Sequence, residues 1–310
     1  MDATYDLIII GGGPAGAGAG VYAARKRLKT AIITDEFGGQ SKVSEDIQNW
    51  IGTVSISGTE LSKNLKKHME AYADSILEIK EGEKVASVTR SDDNFVVKTE
   101  KGDEYTAKTI FVATGSHRRK LGVPGAEEFD NKGLTYCATC DGPLFTGKDV
   151  VVVGGGNAGF ETAAQLLAYT KSVTLLHRST EFKAAPITVE KVLGHKNMKA
   201  ITNVETVEVK GDKMVNAIVY KDIETGKQTE LPIDGIFVEI GQVPTTGFIK
   251  DLIETNEYNQ IVIDPWTQKT STPGIWAAGD STNIRYHQNN IAVGDAVKAI
   301  EDIYTTLHTQ

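Results

Sequence analysis

The segment Leu7-Ile8-Ile9-Ile10-Gly11-Gly12-Gly13-Pro14-Ala15-Gly16 decides the fold of this chain. Four consecutive apolar residues are typical of a buried parallel strand, and the glycines after them predict a tight turn into a helix. We expect that helix over residues 14–27, where alanine and glycine allow close packing on a sheet. Residues 30–34 predict a second strand, so the segment opens a β-α-β unit.

The same pattern occurs a second time. Four valines at 150–153 lead into Gly154-Gly155-Gly156-Asn157-Ala158-Gly159, and we expect a helix from there through Tyr169 and a strand over 172–176. After each copy, short alternating strands predict a meander, followed by an apolar strand with a glycine turn. We expect these strands at 85–90, 95–99, 104–107 and 109–115, and then at 204–210, 215–221, after the turn at 225–226, and at 235–241. The chain therefore predicts two related nucleotide-binding halves.

The remaining segments add elements to these halves and do not form a third domain. Strands are predicted at 261–264 and 275–280, and amphipathic helices at 59–74 and 293–307. Ser57 and Glu60 suit a capping box before the earlier helix. With 310 residues and about 100–200 residues per domain, two domains is the default expectation.

Each glycine-rich turn follows a predicted strand and opens a helix, which is the context that a dinucleotide fingerprint requires. Glycines let backbone N–H groups approach a pyrophosphate, and the helix N-terminus favours its charge. A polar residue ends the next strand and selects the ribose. An empty structural turn is the alternative interpretation of each motif.

The polar residues that end the second strands differ between the halves. In the first half they are Asp35 and Glu36, whose carboxylates accept hydrogen bonds from ribose hydroxyls and repel a 2′-phosphate. In the second half they are His177 and Arg178, and a guanidinium attracts a 2′-phosphate. The first pair fits FAD or NAD, and the second fits NADPH. We therefore assign FAD to the first half and a nicotinamide to the second, although these residues alone also allow the reverse.

The two cysteines, Cys137 and Cys140, form a C-x-x-C motif. A structural zinc site needs four ligands, and none of the six histidines lies beside the cysteines, so we expect no metal. A redox pair is the favoured interpretation, and two unrelated thiols are the alternative. Asp141 follows directly and is placed to move the protons that disulfide exchange requires, unless it only caps a turn.

Charge and hydropathy limit the classes of partner. The net charge of -8 disfavours a nucleic-acid partner. The first residues indicate the approach to a strand and not a signal peptide, and no apolar stretch reaches the ~20 residues that a membrane span needs. We therefore expect a cytoplasmic protein without a membrane partner.

Several motifs occur in an order that resembles one family. They are Gly11 to Gly16, Gly38-Gly39-Gln40, Asn49-Trp50, Ala113-Thr114-Gly115, Cys137-Ala138-Thr139-Cys140-Asp141-Gly142, Gly154-Gly155-Gly156 and Ala277-Ala278-Gly279-Asp280. Over essentially its full length the chain resembles the low-molecular-weight thioredoxin reductases, class II of the pyridine nucleotide-disulfide oxidoreductases. The stretch from Cys140 to Gly159 is more similar to the flavoprotein subunit of alkyl hydroperoxide reductase.

The resemblance implies an α/β homodimer built from two Rossmann-like, three-layer ββα domains. The FAD domain comprises 1–116 and 245–310, split around an NAD(P)H domain at 117–244 that carries the cysteines. Connections near 114–118 and 241–246 would act as a hinge between two domain positions. Cys140 would face the flavin, Cys137 would attack the disulfide of thioredoxin or a thioredoxin-like protein, and Asp141 would be the acid–base residue.

The resemblance also implies the cofactor contacts, position by position. For FAD they are Gly11, Gly13, Pro14, Ala15, Gly16, Asp35, Glu36, Gly39, Gln40, Asn49, Ala113, Gly115, Gly279, Asp280, His287 and Gln288. For NADPH or NADH they are Gly154, Gly156, Asn157, Ala158, His177, Arg178 and Lys183.

Four positions depart from the family pattern. Ser179 and Lys183 stand where the family has arginines in its phosphate-binding motif, Gly159 replaces an alanine, and His287 replaces an arginine. NADPH, NADH and dual use therefore stay open. The alternatives of function are a peroxiredoxin-linked reductase, a ferredoxin-dependent reductase, a dithiol oxidase and a flavin-bound sensor without turnover.

Overall fold

The computed structural model describes residues 5–44, 47–73 and 76–309. Its Cα positions divide into two compact units. Unit 1 comprises Met1–His117 and Val243–Gln310, and unit 2 comprises Arg118–Gln242. The chain thus leaves unit 1 once, builds unit 2 from one continuous segment, and returns.

The strands, in chain order, are β1 (Tyr5–Gly12), β2 (Thr30–Phe37), β3 (Leu77–Glu81), β4 (Val85–Ser91), β5 (Asn94–Thr99), β6 (Glu104–Val112), β7 (Ser116–Arg118), β8 (Leu134–Thr135), β9 (Asp149–Val153), β10 (Ser172–Leu176), β11 (Met198–Ile201), β12 (Val204–Gly211), β13 (Val215–Asp222), β14 (Gln228–Pro232), β15 (Gly235–Val238), β16 (Gln242–Pro244) and β17 (Ile275–Ala277). The helices are α1 (Pro14–Arg25), α2 (Gly58–Glu70), α3 (Ala138–Asp141), α4 (Asn157–Leu166), α5 (Pro186–Leu193) and α6 (Asn289–His308). Two 3-10 turns lie at Gly39–Val43 and Gly142–Phe145.

Unit 1 is built on one sheet of order β3-β2-β1-β6-β5-β4, with β17 also paired to β6. Strand β1 lies parallel to both β2 and β6, and its apolar run is fully buried. Alternate residues of β1 enter different cores: Leu7 and Ile9 pack with α1 and α6, whereas Ile8 and Ile10 pack with β4 and β5. Burial on both faces explains why this strand is uniformly apolar.

Unit 2 has three layers. Its parallel sheet has the order β11-β10-β9-β15-β8, and the antiparallel strands β12-β13-β14 form a separate sheet. The valines of β9 alternate between the layers: Val150 and Val152 pack with Phe160 of α4, and Val151 and Val153 pack with Ile218 of β13. The α/β class and the Rossmann-like organisation predicted from the sequence are confirmed.

Several element predictions need correction. Residues 104–107 and 109–112 form one strand, because Ala107 of β6 pairs with Tyr5 on one side and with Phe95 on the other. The first meander therefore belongs to the main sheet, whereas the second is a separate sheet.

Residues 261–264 do not form a strand. Ile261 makes only isolated bridges, and the side chain of Asp264 accepts a hydrogen bond from the backbone N–H of Trp266 at 3.0 Å, which turns the chain. Strand β17 ends at Ala277 and not at residue 280.

The helices also differ in extent from their predictions. Helix α6 begins at Asn289, four residues before its predicted start, and α2 ends at Glu70, while the predicted end at residue 74 lies outside the described residues. Ser57 caps α2 as expected, since its hydroxyl accepts from the backbone N–H of Glu60 at 3.2 Å. Within the described part of the chain, no helix has the length and apolarity to cross a membrane.

Candidate cofactor pocket and redox centre

Unit 1 contains a pocket of about 610 Å³ at the carboxyl ends of β1, β2 and β6. This is where open α/β sheets bind their ligands. Predicted FAD contacts form much of its lining: Gly11, Gly13, Pro14, Ala15, Asp35, Glu36, Gly39, Gln40, Ala113, Gly115, Gly279 and Asp280.

The first glycine-rich turn is shaped by close backbone contacts. Gly11 has φ +112°, and a Cβ atom there would lie 2.4 Å from the carbonyl oxygen of Ala113. A Cβ atom on Gly16 would lie 1.9 Å from the carbonyl oxygen of Gly11. Gly13 differs, since the nearest atom to its Cβ position is 3.9 Å away. Gly11 and Gly16 therefore close the turn, whereas Gly13 leaves open space beside it.

Helix α1 begins at this turn without a side-chain cap, because Gly13 is its N-cap residue. The N–H groups of its first turn are thus left for an anion. Asp35 and Glu36 lie on the rim of the same pocket and are exposed. Their ion pairs, to Lys84 at 3.4 Å and to Lys42 at 2.5 Å, lie at the surface and are weak enough to yield to ribose hydroxyls.

Four predicted FAD contacts do not line this pocket. Gly16 serves the packing of α1, as described above. Asn49 donates from Nδ2 to Oε1 of Gln288 at 3.1 Å, so the structure brings this pair together. His287 has its Nδ1 at 3.5 Å from Oδ1 of Asp280, and its Nε2 at 3.1 Å from the carbonyl oxygen of Ile284.

Other lining residues were missed by the sequence interpretation: Glu83, Lys84, Val85, Ala86, Glu100, Thr245, Phe248 and Asn289. The residues at 83–86 reach the pocket because β3 pairs in parallel with β2, and no local motif signals that pairing. The position of Asn289 directly after Gln288, a predicted FAD contact, is the one feature of the sequence that points to it. The open glycine turn, the uncapped helix N-terminus and the rim carboxylates together fit a dinucleotide such as FAD, and the volume lies in the usual range for cofactor sites.

Unit 2 repeats the turn geometry. Gly154 has φ +129°, and a Cβ atom there would lie 2.2 Å from the carbonyl oxygen of Glu239. A Cβ atom on Gly159 would lie 2.0 Å from the carbonyl oxygen of Gly154, so this turn requires glycine there, as the first turn does at Gly16. Gly156 has open space, and Asn157 and Ala158 after it are exposed. The Asn157 side chain accepts from the backbone N–H of Ala185 at 2.9 Å.

His177 and Arg178 have different environments. His177 is buried beneath the turn, where a Cβ atom on Gly155 would lie 2.5 Å from its ring. Its Nε2 lies 3.0 Å from the carbonyl oxygen of Glu181, and its ring stacks on Phe182. The ring of His177 therefore packs against Gly155 and supports the glycine turn. Arg178 and Lys183 are exposed, which leaves both cations accessible to a phosphate.

The cysteines lie at the start of the short helix α3. Cys137 and Cys140 form a disulfide and are half-buried. The backbone N–H of Cys140 donates to Sγ of Cys137 at 3.2 Å, and that of Asp141 donates to the Cys137 carbonyl at 3.0 Å. Gln165 of α4 holds the two residues between the cysteines, accepting from Thr139 and donating to the Ala138 carbonyl. Both sulfurs are thus fixed by a helical turn.

Asp141 is half-buried beside this disulfide. Burial raises the pKa of its carboxyl group, and a hydrogen bond donated by the hydroxyl of Thr135 opposes that rise. A carboxyl group with a raised pKa exchanges protons nearer neutral pH than an exposed aspartate does. A half-buried carboxyl group with a raised pKa therefore follows the disulfide directly in the chain.

Glu239 is a second buried carboxyl group in unit 2, and the sequence interpretation did not single it out. Burial raises its pKa, while Arg118 at 3.4 Å and a hydrogen bond from Thr162 at 2.9 Å act in the opposite direction. It follows β15 directly, and its carbonyl oxygen is the one that Gly154 approaches.

Comparisons with known proteins agree with this geometry. The chain is 40% identical over 295 residues to a subunit of alkyl hydroperoxide reductase in Staphylococcus aureus, and 37% identical over 295 residues to an NADH dehydrogenase of Bacillus subtilis. Each match covers 95% of this chain and 57% of the relative, so the chain spans a little over half of the length of these relatives.

Solved structures match over the whole chain. Thioredoxin reductase of Streptococcus pyogenes superposes with a TM-score of 0.91 at 36% identity, covering 100% of both chains. Thioredoxin reductase of Giardia duodenalis gives a TM-score of 0.93 at 32% identity, covering 99% of each. Residues 5–296 match the family described as pyridine nucleotide-disulphide oxidoreductase. By sequence, by fold and by the glycine turns and cysteine pair described above, this chain belongs to the pyridine nucleotide-disulphide oxidoreductase family.

Proposed function

We propose that this protein is a flavoprotein disulfide reductase that passes electrons from NADPH or NADH through FAD to the Cys137–Cys140 disulfide and on to thioredoxin or a thioredoxin-like protein. The observation that carries the proposal is the disulfide on α3 beside a half-buried carboxyl group, in a chain with two dinucleotide turns. Bound FAD and nicotinamide supply the two-electron redox chemistry.

The residues of unit 1 bind and orient the flavin cofactor in this proposal. N–H groups at the start of α1 hold the pyrophosphate beside Gly13, and Glu36 accepts hydrogen bonds from a ribose. Asn49 and Gln288, which are hydrogen-bonded to each other, lie on the flavin side by the family resemblance. Asp280 contacts the cofactor from the turn after β17, where it lines the pocket.

The residues of unit 2 carry the exchange chemistry. Cys140 would be the cysteine on the flavin side, and Cys137 attacks the disulfide of the acceptor protein as a thiolate. Asp141 gives a proton to the sulfur that leaves and takes one from the sulfur that attacks. Its raised pKa supports both roles, because a less acidic carboxyl group takes up and returns a proton more readily at higher pH.

Arg178 and Lys183 support a preference for NADPH. Both are exposed: Arg178 follows β10 closely, and the backbone N–H of Lys183 donates to the carbonyl oxygen of Gly155 in the turn at 3.0 Å. A 2′-phosphate makes its strongest contacts with such cations. The neutral Ser179 stands where the family has a second arginine, so the preference over NADH is expected to be moderate. His177 contributes by holding the turn, because its ring is buried beneath Gly155.

Anaerobic stopped-flow absorbance tests the proposal. The purified protein is expected to carry a flavin band near the blue end of the visible spectrum, which bleaches on mixing with NADPH and more slowly with NADH. Thioredoxin added in its oxidised form is then expected to restore the band. A protein that binds no flavin on reconstitution, or whose flavin neither nicotinamide bleaches, would contradict the proposal.

A peroxide-linked reductase is the second candidate. It is favoured by the 40% identity to the alkyl hydroperoxide reductase relative. The two candidates differ in the acceptor: oxidised thioredoxin should reoxidise the reduced protein directly under the first, and a peroxiredoxin-type peroxidase should do so under the second. Rates with each acceptor at equal concentration decide between them.

The oligomeric state and the location are further parts of the proposal. The family resemblance supports a homodimer in the cytoplasm. Sedimentation of the FAD-loaded protein measures the mass, and a species of one chain only would contradict the dimer.

A further inference from the structure

The hydroxyl of Thr135 connects the disulfide to Asp141. Thr135 ends β8 and is buried. Its Oγ1 accepts a hydrogen bond from the backbone N–H of Cys137 at 3.3 Å and donates one to Oδ2 of Asp141. One buried hydroxyl therefore contacts both the backbone of a redox cysteine and the carboxyl group next to the other.

We propose that Thr135 is a positioning residue for proton transfer at the disulfide, which fixes Asp141 through Oδ2 and keeps it able to accept a proton. The proposal deepens the proposed function and rests on it, since it assigns a support to the acid–base group of that reaction. Thr135 does not itself touch an acceptor or a cofactor in this scheme.

The direction of the hydrogen bonds carries the argument. A hydroxyl has a single proton, and because Cys137 N–H occupies a lone pair of Oγ1, the proton points towards Asp141. Such a donor stabilises the ionised carboxylate and opposes the effect of burial. Among the described residues no hydrogen bond to Oδ1 is present, so in this proposal Oδ1 is the oxygen that accepts the thiol proton.

Other titratable groups lie on the elements around α3. They are Glu161 on α4, Tyr169 after α4, Tyr136 before α3, and the two cysteines once they are reduced. The causes of the Asp141 pKa shift are burial and the Thr135 hydrogen bond. Removing the Thr135 hydroxyl therefore leaves burial to act alone.

The predicted step involves the cysteines without the cofactors. When the dithiol form meets 5,5′-dithiobis(2-nitrobenzoate), one cysteine thiolate attacks, the S–S bond of the reagent breaks, and thionitrobenzoate leaves with the electron pair. The remaining thiol gives its proton to the Asp141 carboxylate while its sulfur attacks the mixed disulfide. The Cys137–Cys140 bond forms, and a second thionitrobenzoate leaves. Two electrons thus pass from the cysteines to the reagent.

The experiment follows this second release against pH. The FAD-loaded protein is reduced with dithiothreitol, freed of reductant and mixed with the reagent between pH 5 and pH 9. Wild type is compared with Thr135→Val, Thr135→Ala, Thr135→Ser and Asp141→Asn. Thr139→Val is the matched control, because it removes an exposed hydroxyl between the cysteines that bonds Gln165 and not Asp141.

The inflection that disappears in Asp141→Asn belongs to Asp141. Thr135→Val and Thr135→Ala are expected to move this inflection of the pH–rate profile up by about one pH unit. The rate of the second thionitrobenzoate release then falls about tenfold at pH values below the inflection and is unchanged at pH values above it. Thr135→Ser and Thr139→Val are expected to keep the wild-type inflection. The use of two hydroxyl-free variants guards against poor folding of one.

An unchanged inflection in a folded Thr135→Val or Thr135→Ala protein would overturn the proposal. So would an equal shift in Thr139→Val, which would point to a general loosening of α3. Failure of the proposed function has a different signature, namely a flavin that NADPH and NADH do not bleach, and it leaves this pH profile readable.

Discussion

Alanine at Gly13 and alanine at Gly16 should separate cofactor binding from folding. A Cβ atom on Gly16 would lie 1.9 Å from the carbonyl oxygen of Gly11, so the backbone must move by at least about 1 Å to relieve the overlap. Strain of this kind typically costs about 1–3 kcal/mol of unfolding free energy. At Gly13 the nearest atom is 3.9 Å away and the backbone is extended, with φ -73° and ψ -173°. Alanine there should leave the stability of the FAD-free protein within about 0.5 kcal/mol of wild type.

The Cβ atom of Gly13→Ala lies beside the open N-terminus of α1, where the pyrophosphate is expected. We expect FAD affinity to fall at least about tenfold, since one lost charged hydrogen bond is sufficient for that. Urea unfolding of the FAD-free proteins measures stability, and the quenching of flavin fluorescence measures affinity. Wild-type FAD affinity in Gly13→Ala, or equal destabilisation by the two substitutions, would refute the assignment of this turn.

Three further predictions test other parts of the molecule. Cys140→Ser should abolish thioredoxin reduction and retain the yellow colour, and a colourless variant would place Cys140 in the cofactor site instead of the exchange site. Arg178→Ala should raise the KM for NADPH about tenfold and change the KM for NADH little. Lys199 is an exposed cation on β11, and Lys199→Ala should change neither KM. An equal rise in both KM values in Arg178→Ala would exclude recognition of a 2′-phosphate. Glu239→Gln should increase the unfolding free energy at pH 7, because burial raises the pKa of Glu239 in the folded protein and the stability that this group contributes is lost as pH rises through that pKa. Below the ordinary pKa of 4.5 the variant and the wild type should have the same unfolding free energy. Urea unfolding at pH 4 and at pH 7 measures both differences.

The elements that local chemistry defines could be predicted from the sequence. Continuous apolar runs identified β1 and β9 because both faces of these strands are buried. The glycine turns were recognisable because backbone contacts exclude a side chain at positions such as Gly11 and Gly154. The disulfide follows from two cysteines at a spacing that one helical turn closes.

Features that depend on distant pairing could not be predicted. The sequence pattern predicts two strands where the structure has the single strand β6, because polar and apolar residues alternate in its first part and its last part is uniformly apolar. Its pairing with both β1 and β5 shows that it is continuous. The residues at 83–86 reach the pocket through the pairing of β3 with β2. Nothing in the sequence distinguishes Thr135, because threonine is common in short strands. Its role depends on the hydrogen bond that its hydroxyl donates to Asp141, and that contact is visible only in the folded structure.

The interrupted course of unit 1 has a consequence for the order of events during synthesis. Unit 2 is one continuous segment, so all of its strands have left the ribosome once residue 242 has emerged. Unit 1 cannot complete its fold at that stage, because β17 and α6 are synthesised later. Strand β17 pairs with β6, and α6 packs on α1. On a stalled ribosome that displays only the first 250 residues, the sheet around β1 should therefore remain sensitive to protease while the disulfide-bearing unit is already resistant.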